Sequence, residues 1–252
     1  MKRGLAIYAA AAYLFLHLPL ATLILFSFNA SRFTLWEGFS LRWYQAVFTD
    51  AEMADAMWNS VIIAIVSTVI STIAGTLAAY ALWKRSSRLL TGSLYLSLVT
   101  PEIVTGISLL AFFQWTFRWL GWHLGLHTVI LAHVSFSIAY VAIVVAARLR
   151  TFDASLEEAA MDLGATEWRA FRRVTLPAIS PGFIAAGLLA LTISFDDYVI
   201  TSLVAGVDST TLPMVIYAMA RRGANPSINA ISALIVVIFG ALILISERLR
   251  EA

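Results

Sequence analysis

The sequence predicts an all-α membrane protein with six transmembrane helices and both termini on the cytoplasmic side. Three observations predict it. Sixty per cent of the 252 residues are apolar and 13% are charged, against about 45–50% and about 25% in an ordinary globular chain. Six apolar stretches approach or exceed the roughly 20 residues that a helix needs to cross a bilayer core. Lys and Arg concentrate in alternate connections, as the cytoplasmic bias of positive charge requires. A core of this size cannot bury so much apolar surface, so lipid solvates part of it. The composition excludes a soluble enzyme, a disordered chain and a free nucleic-acid binder. Cys is absent, which removes disulfides, thiol nucleophiles and Cys-based metal sites.

The first stretch, Leu5–Phe28, carries no Asp, Glu, Lys or Arg. Lys2-Arg3 ahead of it fits the start of a signal peptide, but the run is too long for one and no small-residue cleavage pattern follows. It reads as a retained helix. The second stretch, Trp58–Trp83, is uncharged apart from its flanks. The third, Leu94–Phe117, is interrupted by Pro101-Glu102. The fourth, Leu126–Ala147, holds His127 and His133. The fifth, Gly182–Gly206, contains Asp196-Asp197, and the sixth is Ile228–Ser246. The runs are continuous, whereas a β-barrel needs short alternating segments.

With the N-terminus inside, the inner segments hold Lys2, Arg3, Lys84, Arg85, Arg88, Arg148, Arg150, Arg169, Arg172, Arg173, Arg248 and Arg250. The outer loops hold only Arg32, Arg42, Arg118, Arg221 and Arg222. Twelve against five places both termini inside. Trp36, Trp43, Tyr44 and Trp58 suit an interfacial belt. The whole chain, residues 1–252, is expected to form one transmembrane domain with a long cytoplasmic loop at about 148–180.

That loop does not read as a linker. Leu156–Leu163 is helix-prone, with Asp153 as a candidate N-cap and Glu157-Glu158 in the first turn. Gly164 can supply the left-handed residue that stops the helix. Thr166 is a candidate N-cap for a second short helix, Glu167–Val174, closed off before Pro177. The result is a rigid elbow. Ala159, Ala160, Leu163, Trp168 and Phe171 exceed the apolar content that a solvated loop needs, which points to a docking partner. An amphipathic hairpin lying on the membrane is the alternative. Five arginines balance five acids in residues 148–180, and a lipid-binding hairpin should be more basic.

The run Glu158-Ala159-Ala160, three residues, Gly164, nine residues, then Val174-Thr175-Leu176-Pro177 resembles the EAA loop of ATP-binding-cassette importer permeases. Val174 stands where that pattern has Ile. The resemblance implies that Glu158, Ala159, Ala160, Gly164, Leu176 and Pro177 form a coupling helix seated on a cytoplasmic ATPase subunit. Thr100–Leu110, with Pro101-Glu102 and Gly106, resembles the third-helix motif of polyamine importer permeases. Ser194-Phe195-Asp196-Asp197-Tyr198-Val199-Ile200 is similar to the aspartate-pair motif of that subfamily. Leu212-Pro213-Met214 and Asn225-Pro226-Ser227-Ile228-Asn229-Ala230 resemble its last outer loop. The implied protein is the second permease subunit of a putrescine/spermidine importer. Its implied partners are a homologous permease, two cytoplasmic ATP-binding subunits, a periplasmic or lipid-tethered substrate-binding protein and membrane lipid. ATP and Mg belong to the ATP-binding subunits, and this chain is expected to hold no cofactor or metal and to catalyse nothing alone. Pro177 and Pro181 are expected to make the elbow's connection to the fifth helix short and stiff.

An intramembrane acid is costly and is a functional candidate by default. Asp196 and Asp197 suit an ammonium-bearing solute, which needs carboxylates and aromatic faces along its path. Tyr198 supplies such a face. Successive helical residues point about 100° apart, so one of the pair can line the path while the other caps backbone or pairs. The alternative places both where the fifth helix breaks. Glu102 either lines a kinked third helix or sits in the first turn of a helix starting at Pro101. His17, His127 and His133 lack ligand spacing and read as hydrogen-bonded or interfacial. Trp115, Trp119 and Trp122 read as an aromatic belt, and Ala74, Gly75, Ala78 and Ala79 as close helix packing. No phosphate-binding loop or hydrolase signature is present. A permease for another small solute, such as an amino-acid-like, opine or organophosphonate compound, and a non-transporting membrane scaffold are the rival readings.

Overall fold

The structure is a computed structural model that describes residues 2–32, 35–223 and 226–251. Asn225 and the side chains of Lys2, Arg3, Arg248 and Arg250, all used above, lie outside the described residues. The described chain is mostly helical, with an isolated β-bridge between Asn29 and Phe39. Its elements are α1 (Lys2–Ser27), α2 (Arg42–Thr49), α3 (Ala51–Lys84), α4 (Arg88–Val99), α5 (Glu102–Leu120), α6 (Leu126–Leu149), α7 (Ser155–Asp162), α8 (Glu167–Ala170), a π-helical turn (Phe171–Thr175), α9 (Leu176–Ala178), α10 (Ser180–Asp196), α11 (Val199–Val204), α12 (Leu212–Arg222) and α13 (Pro226–Glu251). Among the described residues, Gly4–Ser27, Ala51–Lys84, Glu102–Leu120 and Leu126–Leu149 are long and apolar enough to cross a membrane. Glu167–Ala178 with Ser180–Asp196 forms a fifth candidate bent by 74°. The expected sixth span, Ile228–Ser246, falls within α13.

Two of the expected spans are broken. Leu94–Phe117 is divided between α4 and α5 at Thr100-Pro101. Proline disfavours the helical conformation in the residue before it, and Thr100 is extended at ψ 127°. Pro101 becomes the N-cap of α5, and Glu102 its first residue. Gly182–Gly206 is divided at Asp197, which is extended at ψ 123°, so that α10 ends at Asp196.

The chain forms two compact units. In the unit of Met1–Ala56 with Met214–Ala252, α13 packs along α1 and α2. The Trp43 indole donates to the Asn29 carbonyl at 2.8 Å, and Ser27 meets the Tyr44 hydroxyl at 2.6 Å. Most side chains of α1 are exposed.

In the unit of Met57–Pro213, α6 lies at the centre. One apolar cluster joins Phe113 and Phe117 of α5, Val129 and Phe136 of α6, and Ile200 and Val204 of α11. A second joins Val141, Val145 and Leu149 of α6 to Ile179 and to Ala186 and Ala190 of α10. Lipid provides no hydrophobic drive between helices, so small residues that admit close approach decide the contacts. Gly75 on α3 illustrates this: a Cβ there would stand 2.7 Å from Val141. Gly187 on α10 lies against Thr68 and Thr72 of α3 in the same way.

Candidate functional site

Two places concentrate the candidate residues: the elbow and the break in the fifth span. The elbow begins with α7. The Asp153 carboxylate accepts from the Ser155 amide at 3.0 Å, but the N-cap position is Ala154, and the helix runs from Ser155 to Asp162, one residue ahead of the expected Leu156–Leu163 at both ends. That exposed hydrogen bond holds the Asp153 carboxyl below the usual carboxylate range. Gly164 sits at φ +89° with open space around it, a backbone conformation that residues bearing a Cβ adopt only with strain. Thr166 caps α8 through the Arg169 amide at 3.4 Å. The expected second helix, Glu167–Val174, is instead α8 followed by the π-helical turn, and Pro177 lies inside α9.

The elbow has two unlike faces. Glu158, Ala159, Gly164 and Pro177 are exposed, and Ala160 and Leu176 are half-buried. Leu163 is 90% exposed and Trp168 62%. An exposed apolar surface rimmed by charge marks an interaction site. Phe171 does not belong to it: the ring is buried, 4.4 Å from the Tyr80 ring and 5.4 Å from that of Trp168.

The inner face is organised by Glu157, whose side chain is fully buried. One carboxylate oxygen receives the Lys84 ammonium at 2.6 Å and the Tyr80 hydroxyl at 2.7 Å. The other accepts from Thr175 at 2.5 Å. Burial opposes the charge, but Lys84, Thr175 and Tyr80 outweigh it and hold the carboxyl below its usual range. In the sequence Glu157 reads only as a first-turn acid. The available signal was Lys84 closing a long apolar run, which required a nearby carboxylate or an interface.

At the break, the two aspartates have different surroundings. Asp197 accepts from the Thr201 amide at 2.8 Å, the Thr201 hydroxyl at 2.7 Å and the Ile200 amide at 3.4 Å. Standing just ahead of the N-cap position, it thus satisfies the first-turn amides of α11, with its side chain only 6% exposed. His133 approaches it at 3.4 Å. The His133 ring is also bonded to Thr201 at 2.9 Å and to Ser194 at 2.7 Å, and Ser194 to Ser67 at 2.9 Å. Buried polar groups need partners, and these residues supply one another's. Asp196, the last residue of α10, is exposed. Tyr198 is half-buried at the N-cap position of α11. Glu102 is exposed in the first turn of α5. Gly106, one turn later, lies against Ile200 and Leu203 of α11, so Glu102 and the break belong to neighbouring elements. The network through Ser67, His133, Ser194 and Thr201 is not legible as a unit in the sequence. Its signal was the recurrence of hydroxyl and imidazole groups within otherwise apolar runs.

Of the other candidates, His17 bonds the Tyr13 carbonyl at 2.8 Å, and His127 lies among the rings of Phe117 and Trp122. Trp115, Trp119 and Trp122 are exposed.

Comparison with known proteins places this architecture. The chain is 44% identical over 230 residues to the putrescine transport system permease protein PotI of Escherichia coli K12, covering 88% of this chain and 82% of that one. It is 37% identical over 243 residues to the spermidine/putrescine transport system permease protein PotC of Haemophilus influenzae, covering 95% and 93%. In fold it is similar to a bacterial ABC transporter involved in the import of the acidic polysaccharide alginate, with a TM-score of 0.73 at 16% identity over 99% of this chain and 95% of that one. It is also similar to the MetNI methionine ABC transporter, with a TM-score of 0.66 at 19% identity over 80% and 97%. Residues 71–252, which hold both the elbow and the aspartate pair, match the binding-protein-dependent transport system inner membrane component family, and the chain belongs to that family.

Proposed function

We propose that the chain is a permease subunit of an ATP-driven importer and forms, with a second homologous permease, the pathway for polyamines such as putrescine or spermidine. The chain crosses the inner membrane six times with both termini inside. The exposed face of the elbow, built from Glu158, Ala159, Ala160, Gly164, Leu176 and Pro177, seats a cytoplasmic ATP-binding subunit. A second such subunit serves the other permease, and ATP and Mg are bound there. A periplasmic or lipid-tethered binding protein delivers the solute to the outer loops. Asp196, with Glu102 and Tyr198 on neighbouring elements, holds the ammonium groups in passing. Asp197 keeps the break in shape. Closure of the ATPase pair moves the elbow and opens the path alternately to the two sides.

One observation carries the substrate class: the 44% identity to the putrescine permease. An alignment covering 88% of the chain necessarily includes the elbow, Glu102 and the aspartate pair. The test is ATP-dependent uptake by the reconstituted complex with its binding protein, offered putrescine, spermidine or a neutral amino acid. Uptake of either polyamine alone among the three supports the reading. Transport of the amino acid without either polyamine overturns the substrate assignment and leaves the permease role.

A further inference from the structure

The elbow reaches the fifth span through Ile179, where the chain bends by 74°. The stiff connection expected from Pro177 and Pro181 is therefore a corner. Thrust through a corner is absorbed as a change of angle, so this joint alone is a poor route from the elbow to Asp196. The buried contacts supply a straighter one.

Glu157 holds the elbow to α3. Its carboxylate takes Lys84 and Tyr80, both from the last turns of α3, and Thr175 from the far side of the elbow. From Tyr80 to Ser67, α3 runs without proline or interruption, a distance of about 20 Å. Along that length its surface is keyed into the neighbouring helices. Gly75 is closed against Val141, and Thr68 and Thr72 face Gly187 of α10. At the midpoint of α3, Ser67 bonds Ser194, which in turn bonds His133. Ser194 lies two residues before Asp196. Close-packed elements shift as bodies and do not deform smoothly, so a movement imposed on Lys84 and Tyr80 is delivered at Ser194.

We propose that Glu157 is a positioning residue that couples the elbow to α3, and that α3 carries elbow movement to the break beside Asp196. The inference rests on the permease reading above. Glu158, one residue on, faces outward toward the ATPase subunit, while Glu157 faces inward toward the membrane domain, so the paired acids divide docking from transmission.

The experiment uses the complete complex in proteoliposomes with its binding protein. It measures ATPase-subunit retention, ATP hydrolysis and putrescine taken up per ATP hydrolysed. Glu157→Gln and Lys84→Met are expected to retain the ATPase subunit and to hydrolyse ATP at close to the wild-type rate. Uptake per ATP falls roughly five-fold or more, the lower end of ordinary coupling energies. Lys84→Arg, which keeps the charge, preserves the ratio. Ser67→Ala, about 20 Å along the same helix, also lowers it, and the Glu157→Gln/Ser67→Ala double variant is no worse than the poorer single one, as serial links on one path require. An unchanged ratio in Glu157→Gln, including uptake and hydrolysis that decline together with assembled complex, overturns the inference and leaves Glu157 a residue of the fold alone. Wild-type complex that takes up no polyamine overturns the substrate reading and this inference with it, and is distinguished by failing before any variant is made.

Discussion

Asp196 and Asp197 are adjacent in sequence and opposite in circumstance. Asp197 accepts three hydrogen bonds from the first turn of α11, whereas Asp196 is exposed. Asn keeps one acceptor oxygen but loses the charge, and a charged hydrogen bond contributes about 1.5–3 kcal/mol. Asp197→Asn is therefore expected to lower the thermal midpoint of the purified complex. Asp196→Asn is expected to leave the midpoint within the error of the measurement, since exposed substitutions usually cost under ~0.5 kcal/mol, and to lower putrescine uptake at least about ten-fold. Equal loss of stability in both variants would contradict this division of roles. Glu157 carries the pH dependence at this scale. Its folded carboxyl titrates below its unfolded value, so its contribution is complete above the ordinary glutamate value of about 4.3. The contribution is lost as pH falls through the lowered folded value. Thermal midpoints from pH 8 to pH 5 should not change on its account, and the decline below about pH 4.3 should be shallower in Glu157→Gln.

At the scale of elements, the breaks matter more than the spans. Gly206 follows α11 where a Cβ would stand 1.7 Å from the Leu124 carbonyl oxygen. Leu124 is backbone at the entry to α6 and cannot swing aside as a side-chain tip does. Gly206→Ala is expected to destabilise the unit by about 3 kcal/mol, the upper end of overpacking costs, seen as reduced membrane levels and a lower midpoint. Gly92→Ala is the matched contrast. Nothing lies within 4 Å of that position in α4, and replacing a mid-helix glycine by alanine gains roughly 0.5–1 kcal/mol. A stabilised Gly206→Ala would show that the Gly206–Leu124 approach is absent in the membrane. The breaks at Thr100-Pro101 and at Asp197 were only half legible. Proline at 101 announced the first. The second is one of the two readings that the aspartate pair offers, and it depends on Thr201 and Ile200 presenting amides to a carboxylate, which a hydropathy window averages away.

At the scale of the whole molecule, topology is the open quantity that the chain itself makes simple to measure. It contains no cysteine, so single cysteines report without background. Glu167→Cys lies at an exposed position of the elbow, and Val207→Cys at an 85%-exposed position in the loop after α11. An impermeant maleimide added to intact spheroplasts is expected to label Val207→Cys and to reach Glu167→Cys only after the membrane is opened. Labelling of both from outside would remove the elbow from the cytoplasm and with it the ATPase-docking role.

The sequence by itself determined the membrane class, the helical class and the place of the elbow. These follow from local sums: insertion depends on about 20 consecutive residues, and Gly164 and Thr166 act within one turn of chain. The resemblance carried by Glu158-Ala159-Ala160 and Gly164 is also a matter of spacing alone. Tertiary structure decided which acid is buried and which is displayed. Glu157 meets Tyr80 from 77 residues away, and His133 meets Ser194 from 61. Whether a carboxylate ends beside an ammonium, a hydroxyl or open surface depends on how helices pack, and small-residue contacts at Gly75, Gly187 and Gly206 set that packing. Neighbouring acids thus acquire different surroundings: Glu157 and Glu158 because a helix turns about 100° per residue and the protein approaches it from one side only, and Asp196 and Asp197 because the chain leaves the helix between them.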